Sequence, residues 1–379
     1  MLHHKAYRFR IYPTPEQATL IHKIFGCSRF VFNHFLSMWN QAYEETGKGL
    51  SYNTCATQLP TLKQSFGWLK EVDNIALQSS VRNVADAFDR FFRKQNEKPR
   101  FKSRKNPVQS YTTKYTNGNI AIEGNQLKLP KLGWLRFAKS REWEGRILSA
   151  TVRQNATGKY FVSILCEVEI DALPKTDNTI GIDLGLKEFA VCSNGEVVTN
   201  PKHLRKYEKQ LARWQRILAR RKRGGSNWNR AKRKVALIHE KIVNCREDFL
   251  HQLTTKWIRE NQTICLEDLQ VSNLMQNHKL AKAISEVSWA KCRTLLEYKA
   301  AWYGRTISIV AKNFPSSQLC SACGHRNPDV KNLALRKWTC TTCGVHHDRD
   351  YNASINIKEE GLRLVATATS TVGTAGFAC

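Results

Sequence analysis

Two Cys-x2-Cys pairs constrain this chain more than any other feature of its sequence. Cys320-Ser321-Ala322-Cys323 and Cys340-Thr341-Thr342-Cys343 have sixteen residues between them, a spacing at which two tight turns each offer two thiolates to one tetrahedral ion. Gly324 and Gly344 follow the second cysteine of each pair, where a knuckle turn needs a backbone tolerant of positive φ. Four sulfur ligands close the coordination sphere, so the Zn²⁺ they imply is structural and not catalytic. The other eight cysteines (Cys27, Cys55, Cys166, Cys192, Cys245, Cys265, Cys292 and Cys379) are scattered singly, which is not a disulfide framework.

Charge supplies the next constraint. Among 379 residues, 60 Lys and Arg stand against 32 Asp and Glu, a net charge of +28 at pH 7. So large an imbalance repels itself unless a polyanion neutralises it, and nucleic acid is the default partner. With 41% hydrophobic and 24% charged residues, the chain has the composition of a globular protein of two or three domains, which excludes disordered, collagenous and membrane-spanning classes. No apolar run approaches the roughly 18 residues of a bilayer span. The amino terminus, Met1-Leu2-His3-His4-Lys5, lacks the apolar stretch of a signal peptide. The expected compartment is the cytosol, with no membrane partner.

Along the chain, Tyr7, Phe9 and Ile11 alternate with Arg8, Arg10 and Tyr12, the period of a strand with one buried and one basic face. Thr14-Pro15-Glu16-Gln17 then predicts a helix start, with a capping box and Pro at the first helical position. Leu20, Ile24, Val31, Phe35 and Trp39 follow at helical spacing, and Leu77, Val81, Val84, Phe88 and Phe91 predict a second amphipathic helix. From Phe101 the pattern shortens to alternating runs. Ile147 to Arg153, the turn Asn155-Ala156-Thr157-Gly158 and Tyr160 to Ile170 predict a β-hairpin, and Asp171 to Asn178 reads as a linker.

Residues 201–240 carry 14 Lys and Arg against 2 Glu. Through them runs an apolar stripe, Leu204, Tyr207, Leu211, Trp214 and Leu218. After the break at Gly224-Gly225-Ser226-Asn227 comes a second, Ala231, Val235, Ile238, Ile242, Phe249, Leu253 and Trp257. The pattern predicts a helical hairpin with a basic tip, and the near absence of acidic partners points that tip at a phosphate backbone. The stretch from Val365 to Cys379 has the small, polar composition of a poorly ordered tail.

Three acids carry the chemistry. Thr179-Ile180-Gly181-Ile182-Asp183-Leu184-Gly185 is an apolar strand with one carboxylate in it, a costly placement unless a cation or hydrogen bonds offset it. Alone it would equally suit an actin-like phosphate site or a satisfied structural Asp. Thr263-Ile264-Cys265-Leu266-Glu267-Asp268-Leu269 repeats the arrangement, and Asp348-Arg349-Asp350-Tyr351-Asn352 sets a third acidic position before a helix expected over Ala353 to Lys358. Asp183, Glu267 and Asp350 are separated by 84 and 83 residues, enough for a mixed sheet, a helical insertion and the cysteine pairs between them. Three convergent carboxylates can hold two Mg²⁺ or Mn²⁺ ions about 4 Å apart for phosphodiester hydrolysis.

GIDLG at 181–185, LED at 266–268, CSACG and CTTCG at the cysteine pairs, and DRDYNASINI at 348–357 resemble, in order and spacing, the TnpB (OrfB) family encoded by insertion sequences, relatives of the type V CRISPR effectors. The resemblance spans nearly the whole chain. It implies an α/β multidomain protein in which an RNase H-like (RuvC) nuclease domain with an inserted zinc ribbon follows a helical recognition domain and a β-barrel-like wedge module. Residues 1–12 are then the first strand of the β (wedge) module, 13–100 the helical recognition domain and 101–178 the rest of the β module. Residues 179–312 are the RuvC-like nuclease with its basic helical hairpin at 201–258, 313–346 the zinc ribbon, 347–364 the end of the nuclease domain, and 365–379 a disordered tail.

The same resemblance implies Asp183, Glu267 and Asp350 as catalytic acids and as Mg²⁺ or Mn²⁺ ligands, and Cys320, Cys323, Cys340 and Cys343 as the zinc ligands. Asp350 is preferred to Asp348 because the family's Asp-x-Asn-x-Ala-x-Asn-Ile string begins there; Ser354 departs from it and leaves the acids intact. Family members bind a guide RNA from the transposon end and pair it with one strand of double-stranded target DNA beside a short transposon-adjacent motif. They cut both strands at one nuclease site, so base pairing carries the specificity.

Tyr52, Gln78, Arg82 and the segment Ser110-Tyr111-Thr112 are candidates for reading that motif. Arg100, Lys102, Arg104 and Lys105 are candidates for guide or heteroduplex backbone contacts, as are Arg220, Arg221, Lys222 and Arg223 at the hairpin tip. The expected function is an RNA-guided, metal-dependent DNA endonuclease of a transposable element. A nuclease-silent repressor or DNA-binding accessory protein on the same fold is expected to have lost an acid, and all three are present. A transposase that cuts and rejoins ends stays open, since related folds transfer strands with similar metal chemistry.

Overall fold

The computed structural model describes residues 1–332 and 334–374, with side chains to residue 368. The chain divides into two units, one of Leu2–Glu169 and one of Met1 with Ile170 onward.

In the first unit, β1 (Leu2–Tyr12) buries Tyr7, Phe9 and Ile11 and exposes the residues between them. Reciprocal bonds between Thr14 and Gln17 form the capping box that starts α1 (Pro15–Thr46), and Gly47 ends the helix in the left-handed region at φ 68°. Two more helices follow, α2 (Tyr52–Ser65) and α3 (Asn74–Phe92), the latter burying Leu77, Val81, Val84 and Phe88. The chain then adds β2 (Gln109–Lys114), β3 (Ala121–Glu123), β4 (Gln126–Leu129), β5 (Gly133–Ala138), β6 (Arg146–Gln154) and β7 (Tyr160–Glu169). These join β1 in a seven-stranded antiparallel sheet ordered β2-β6-β7-β1-β5-β4-β3.

The barrel-like closure expected of this sheet is not made. β2 and β3 are its ends, and no pairing among the described strands joins them. α1 and α3 pack on β2, against the face from which Tyr111 and Thr113 are buried.

The second unit is built on a five-stranded mixed sheet of β8 (Thr179–Leu184), β9 (Glu188–Cys192), β10 (Val197–Thr199), β11 (Thr263–Glu267) and β12 (Thr306–Val310), ordered β10-β9-β8-β11-β12. β8, β11 and β12 are parallel, whereas β9 and β10 run antiparallel to their neighbours. Between β10 and β11 the chain forms the basic hairpin of α4 (His203–Ala219) and α5 (Ser226–Glu260), closed by Leu211, Ile238 and Ile242 against Leu204, Tyr207, Trp214 and Val235. Between β11 and β12 lie α6 (Val271–Leu274), α7 (Ala281–Val287) and α8 (Trp289–Tyr303).

Both faces of the parallel strands are buried, which is why they read as nearly unbroken apolar runs. Ile180, Ile182, Ile264 and Leu266 pack with Trp257 and Ile258 of α5 and Leu295 and Leu296 of α8. The intervening residues face α9 (Arg349–Thr374), where Cys265 and Val310 meet Ile357. Contact there is close enough to require glycine. A Cβ on Gly181 would lie 2.1 Å from the Ser354 carbonyl oxygen, and one on Gly361 would lie 2.3 Å from Cys265 Sγ. The departure at Ser354 fits this crowding, since the residue is fully buried and its hydroxyl donates to Tyr351 O at 2.7 Å.

α9 differs from expectation at both ends. It begins at Arg349 and not Ala353, because Asp348 caps it. It also continues to Thr374, so the tail expected from 365 is helical as far as 374: Ala366 and Ala368 favour helix, and no Pro or Gly interrupts before Gly373. Residues 375–379 lie outside the described residues. Between β12 and α9, a 3-10 turn (Pro328–Lys331) lies between the cysteine pairs, and the second pair lies in the connection of a hairpin of β13 (Lys337–Thr339) and β14 (His346–Asp348), which runs two residues past the expected boundary at 346. Among the described residues no helix is long and apolar enough to cross a membrane.

Candidate active site

Asp183 and Glu267 each stand one residue beyond Ile182 and Leu266, the last registered pair of two adjacent parallel strands. They share the strand parity of Gly181 and Cys265, so both carboxylates leave the sheet on the α9 face. Asp350 lies in the first turn of α9. Burial, and after it the charges of Glu267 and Asp350, push the Asp183 carboxyl up to about 7, while Arg349 and Arg336 oppose the rise. Burial also raises Glu267, and a hydrogen bond from the Ser316 hydroxyl to its Oε1 pulls the other way.

Asp350 is held by Arg336, whose Nη1 donates to Oδ1 at 3.2 Å and to Oδ2 at 3.0 Å. Asp348 is engaged elsewhere, its Oδ1 accepting the backbone N–H groups of Asp350 at 3.1 Å and Tyr351 at 3.2 Å. Arg349 carries two buried nitrogens, Nε and Nη1, without a protein acceptor.

Glu267 and Asp350 therefore lie near enough to Asp183 to raise its carboxyl, but the three acids do not close on a single point. Among the described residues, the one group of three or more His, Cys, Asp or Glu side chains whose ligand atoms all lie within 4.8 Å of one another is the four cysteines. Three half-buried carboxylates with this spread suit hard divalent cations, which take oxygen ligands and relieve the repulsion that adds to burial in raising Asp183. Two clefts border the acids. One of about 490 Å³ is lined by Glu267, Leu184, Trp289 and Arg293, and one of about 410 Å³ by Asp350, Arg336, Lys187 and Tyr351.

The cysteine pairs form two matching knuckles. Gly324 N–H donates to Cys320 O at 2.8 Å and Gly344 N–H to Cys340 O at 2.9 Å, and both glycines sit at φ 74°. Cys320 and Cys343 Sγ are 3.6 Å apart, as are Cys323 and Cys340. Four sulfurs at about 2.3 Å from one tetrahedral ion lie about 3.8 Å apart, so the donor set fits such an ion. Within the group the thiols act on one another: backbone N–H groups, that of Cys343 foremost, draw the Cys340 thiol down to about 6, whereas Cys323 is pushed up to about 12 and Cys343 is raised. Among the single cysteines, burial pushes Cys27 and Cys55 up to about 11 and Cys192, Cys265 and Cys292 up to about 12.

Of the residues expected to meet nucleic acid, Arg82 stacks on the Tyr52 ring, its guanidinium 3.6 Å from the centroid, and Gln78 is exposed one turn earlier on α3. Arg100 is exposed and paired with Glu97, whereas Arg104 and Lys105 are exposed. Lys102 lies over the Phe32 ring at 4.0 Å. With Ser110 it lines a cleft of about 540 Å³, together with Arg29 and Arg153. Those two arginines were not singled out in the sequence, because each is a lone basic residue whose neighbours in space come from distant segments.

Strand alternation divides the candidate segment at 110–112. Ser110 is exposed and Thr112 bonds to Thr151 at 2.8 Å, but Tyr111 points into the core at 4% exposure and is no surface contact. Arg220, Arg221, Lys222 and Arg223 are all exposed in the turn between α4 and α5.

Comparison with known proteins gives this geometry its context. A solved structure described as a Cas12f1-sgRNA-target DNA complex superposes with a TM-score of 0.58 at 14% identity, covering 94% of this chain and 99% of that one. The chain thus has the mixed α/β fold of the Cas12f1 class of effector. Family profiles match at residues 163–278 (OrfB_IS605, described as "Probable transposase"), 289–357 ("Cas12f1-like, TNB domain") and 1–48 ("Helix-turn-helix domain"). The last of these segments is here a strand followed by one long helix.

Two full-length relatives, from Streptomyces pristinaespiralis and Escherichia coli K12, are both named "Putative RNA-guided DNA endonuclease", the second with the added name InsQ. The first is 40% identical over 96% of this chain and 90% of its own length, and the second 32% identical over 96% and 93%. The chain belongs to the TnpB (OrfB) family.

Proposed function

We propose that this chain is an RNA-guided DNA endonuclease of a transposable element, cutting double-stranded target DNA beside a short adjacent motif by two-metal hydrolysis at Asp183, Glu267 and Asp350. The observation that supports the reading is that acids from β11 and α9 act on the one from β8: burial raises the Asp183 carboxyl first, and the charges of Glu267 and Asp350 raise it further. The order β10-β9-β8-β11-β12 with antiparallel β9 supports a RuvC-like, RNase H-type domain. The paired knuckles support a zinc ribbon inserted before α9. In the first unit, the helices act as the recognition domain and the sheet as the wedge.

Bound Mg²⁺ or Mn²⁺ would supply an activated water and stabilise the departing oxygen. This chain's residues provide the rest. Asp183 and Glu267 offer carboxylate oxygens from rigid strand ends, and Asp183 must lose its proton to do so. Arg336 orients Asp350. The buried, unfilled N–H groups of Arg349 suit a phosphate oxygen brought to the cluster.

The +28 charge offsets the phosphates of a guide RNA and its DNA target, consistent with the relatives' names. Tyr52, Gln78, Arg82, Ser110 and Thr112 are the proposed motif-reading surface. Lys102, Arg100, Arg104, Lys105 and residues 220–223 are proposed backbone contacts, acting in the cytosol.

The test is to purify the protein with co-expressed transposon-end RNA and offer plasmids bearing a matched target and randomised flanks. Cleavage of both strands is expected only with the RNA, a matched target and a particular flank. Asp183→Ala is expected to lower the rate more than about 100-fold, beyond the usual loss for a supporting residue, with RNA still bound. Cutting that persists without RNA rejects guidance, and joined products favour a transposase.

A further inference from the structure

One short segment, Ser316–Ser321, touches both the cysteine knuckle and the acid cluster. At its start, Ser316 is buried at 7% exposure and its hydroxyl donates to Glu267 Oε1. Near its end, Cys320 is the first sulfur of the four-cysteine group. Two asparagines one turn apart on α9 grip the stretch between. Asn356 Nδ2 donates to Ser316 O and Leu319 O, both at 2.7 Å. Asn352 Nδ2 donates to Leu319 O at 2.7 Å, and its Oδ1 accepts Ser321 N–H at 2.9 Å. Asn352 and Asn356 are buried, at 1% and 8% exposure respectively, so these bonds are their main means of satisfying buried polar atoms.

The geometry has a chemical consequence. A carboxylate bonded at one oxygen cannot rotate freely, and its other oxygen keeps a fixed direction. We propose that Ser316 is a positioning residue for Glu267, fixed in turn by Asn352 and Asn356, so that the cysteine knuckle and α9 together set the direction in which Glu267 presents its free oxygen to a divalent cation. The helix that carries Asp350 then also aligns Glu267, and a distortion of the knuckle is transmitted to the acids through four residues of chain. The segment adds no ligand of its own.

This inference rests on the nuclease reading above, and the experiment separates the two. Mn²⁺ binding to the full-length, RNA-free protein is measured by electron paramagnetic resonance. In parallel, cleavage by the guide-loaded protein is titrated with Mn²⁺. Ser316→Ala is expected to weaken Mn²⁺ binding about 10–100-fold, the range for loss of an outer-shell partner. Zinc content and the thermal unfolding midpoint should stay at wild-type values, and cleavage should be largely restored at saturating Mn²⁺. Ser316→Thr, which keeps the hydroxyl, should bind as wild type does. Asn356→Ala should weaken binding similarly, and the double variant should be no worse than the worse single one, because both act through one contact.

Wild-type Mn²⁺ binding with unchanged binding in Ser316→Ala overturns the positioning role. Loss in Asn356→Ala alone overturns it too, since the clamp would then serve only stability. A wild-type protein that neither binds Mn²⁺ nor cleaves overturns the nuclease reading itself.

Discussion

At Asp183 a proton and a cation compete for the same oxygens. The folded chain holds this proton up to about pH 7, against 3.8 for an ordinary aspartate. Its contribution to the stability of the metal-free protein is therefore fully present below about pH 4 and is lost as pH rises to about 7. Asp183→Asn keeps the site neutral throughout. The unfolding free energy of wild type relative to this variant should then fall between pH 5 and 7, by up to about 1.4 kcal/mol per unit, in urea titrations without metal. Parallel curves would reject the shift. Calorimetry should also show Mg²⁺ binding that releases protons and tightens as pH rises to about 7, then levels. Both acids at strand ends stood out in the sequence, since a carboxylate closing an apolar run contradicts its surroundings. Arg336 and Ser316 did not, because polar residues outside any periodic element carry no signal until the chain folds back on itself, and neither did Arg349, a lone basic residue at the start of α9.

Elements explain how the acids are brought together. α9 can settle on β8 and β11 only because Gly181 and Gly361 offer no side chain at the contact. Gly181→Ala should cost about 1–3 kcal/mol in urea unfolding and should weaken Mn²⁺ binding as well, since α9 carries Asp350; an Ala variant with wild-type stability would show that α9 is not seated so closely. The knuckles make a separate prediction. Cys323→Ser, or chelation of wild type, should reduce zinc from one ion per chain toward none by elemental analysis and lower the unfolding midpoint, because the core of Val330, Trp338 and Cys320 is too small to persist without the ion. Retained zinc would dismiss the four-sulfur assignment. The capping box of α1, the stripes of α4 and α5 and the β6–β7 hairpin were legible from local periodicity. The start of α9 is hidden because its cap, Asp348, belongs to the same acidic string as Asp350. The helix beyond Val365 is hidden because small polar residues surround the alanines that favour it.

On the scale of the whole molecule, charge governs association. Replacing Arg220, Arg221, Lys222 and Arg223 by Gln should reduce the slope of log affinity against log salt for transposon-end RNA by up to about 3, taking about 0.7 per single-strand phosphate contact. Anisotropy titrations between about 50 and 200 mM KCl measure it, and an unchanged slope would remove the hairpin tip from the RNA interface. What the amino-acid order determined unaided was whatever depends on neighbours in the chain: helix and strand periods, caps, cysteine spacing, net charge and the oddity of an acid in an apolar strand. Tertiary structure decided which side chains share a space: the face on which Asp183 and Glu267 emerge, the Arg336 grip on Asp350, the open seven-stranded sheet and the Asn352–Asn356 clamp. The physical reason is range. Periodicity and capping act over a few residues of backbone, whereas burial, ion pairing and hydrogen bonding join residues 14 positions apart in the Arg336–Asp350 pair, 33 in the Asn352–Leu319 bond and more than eighty in the acid cluster.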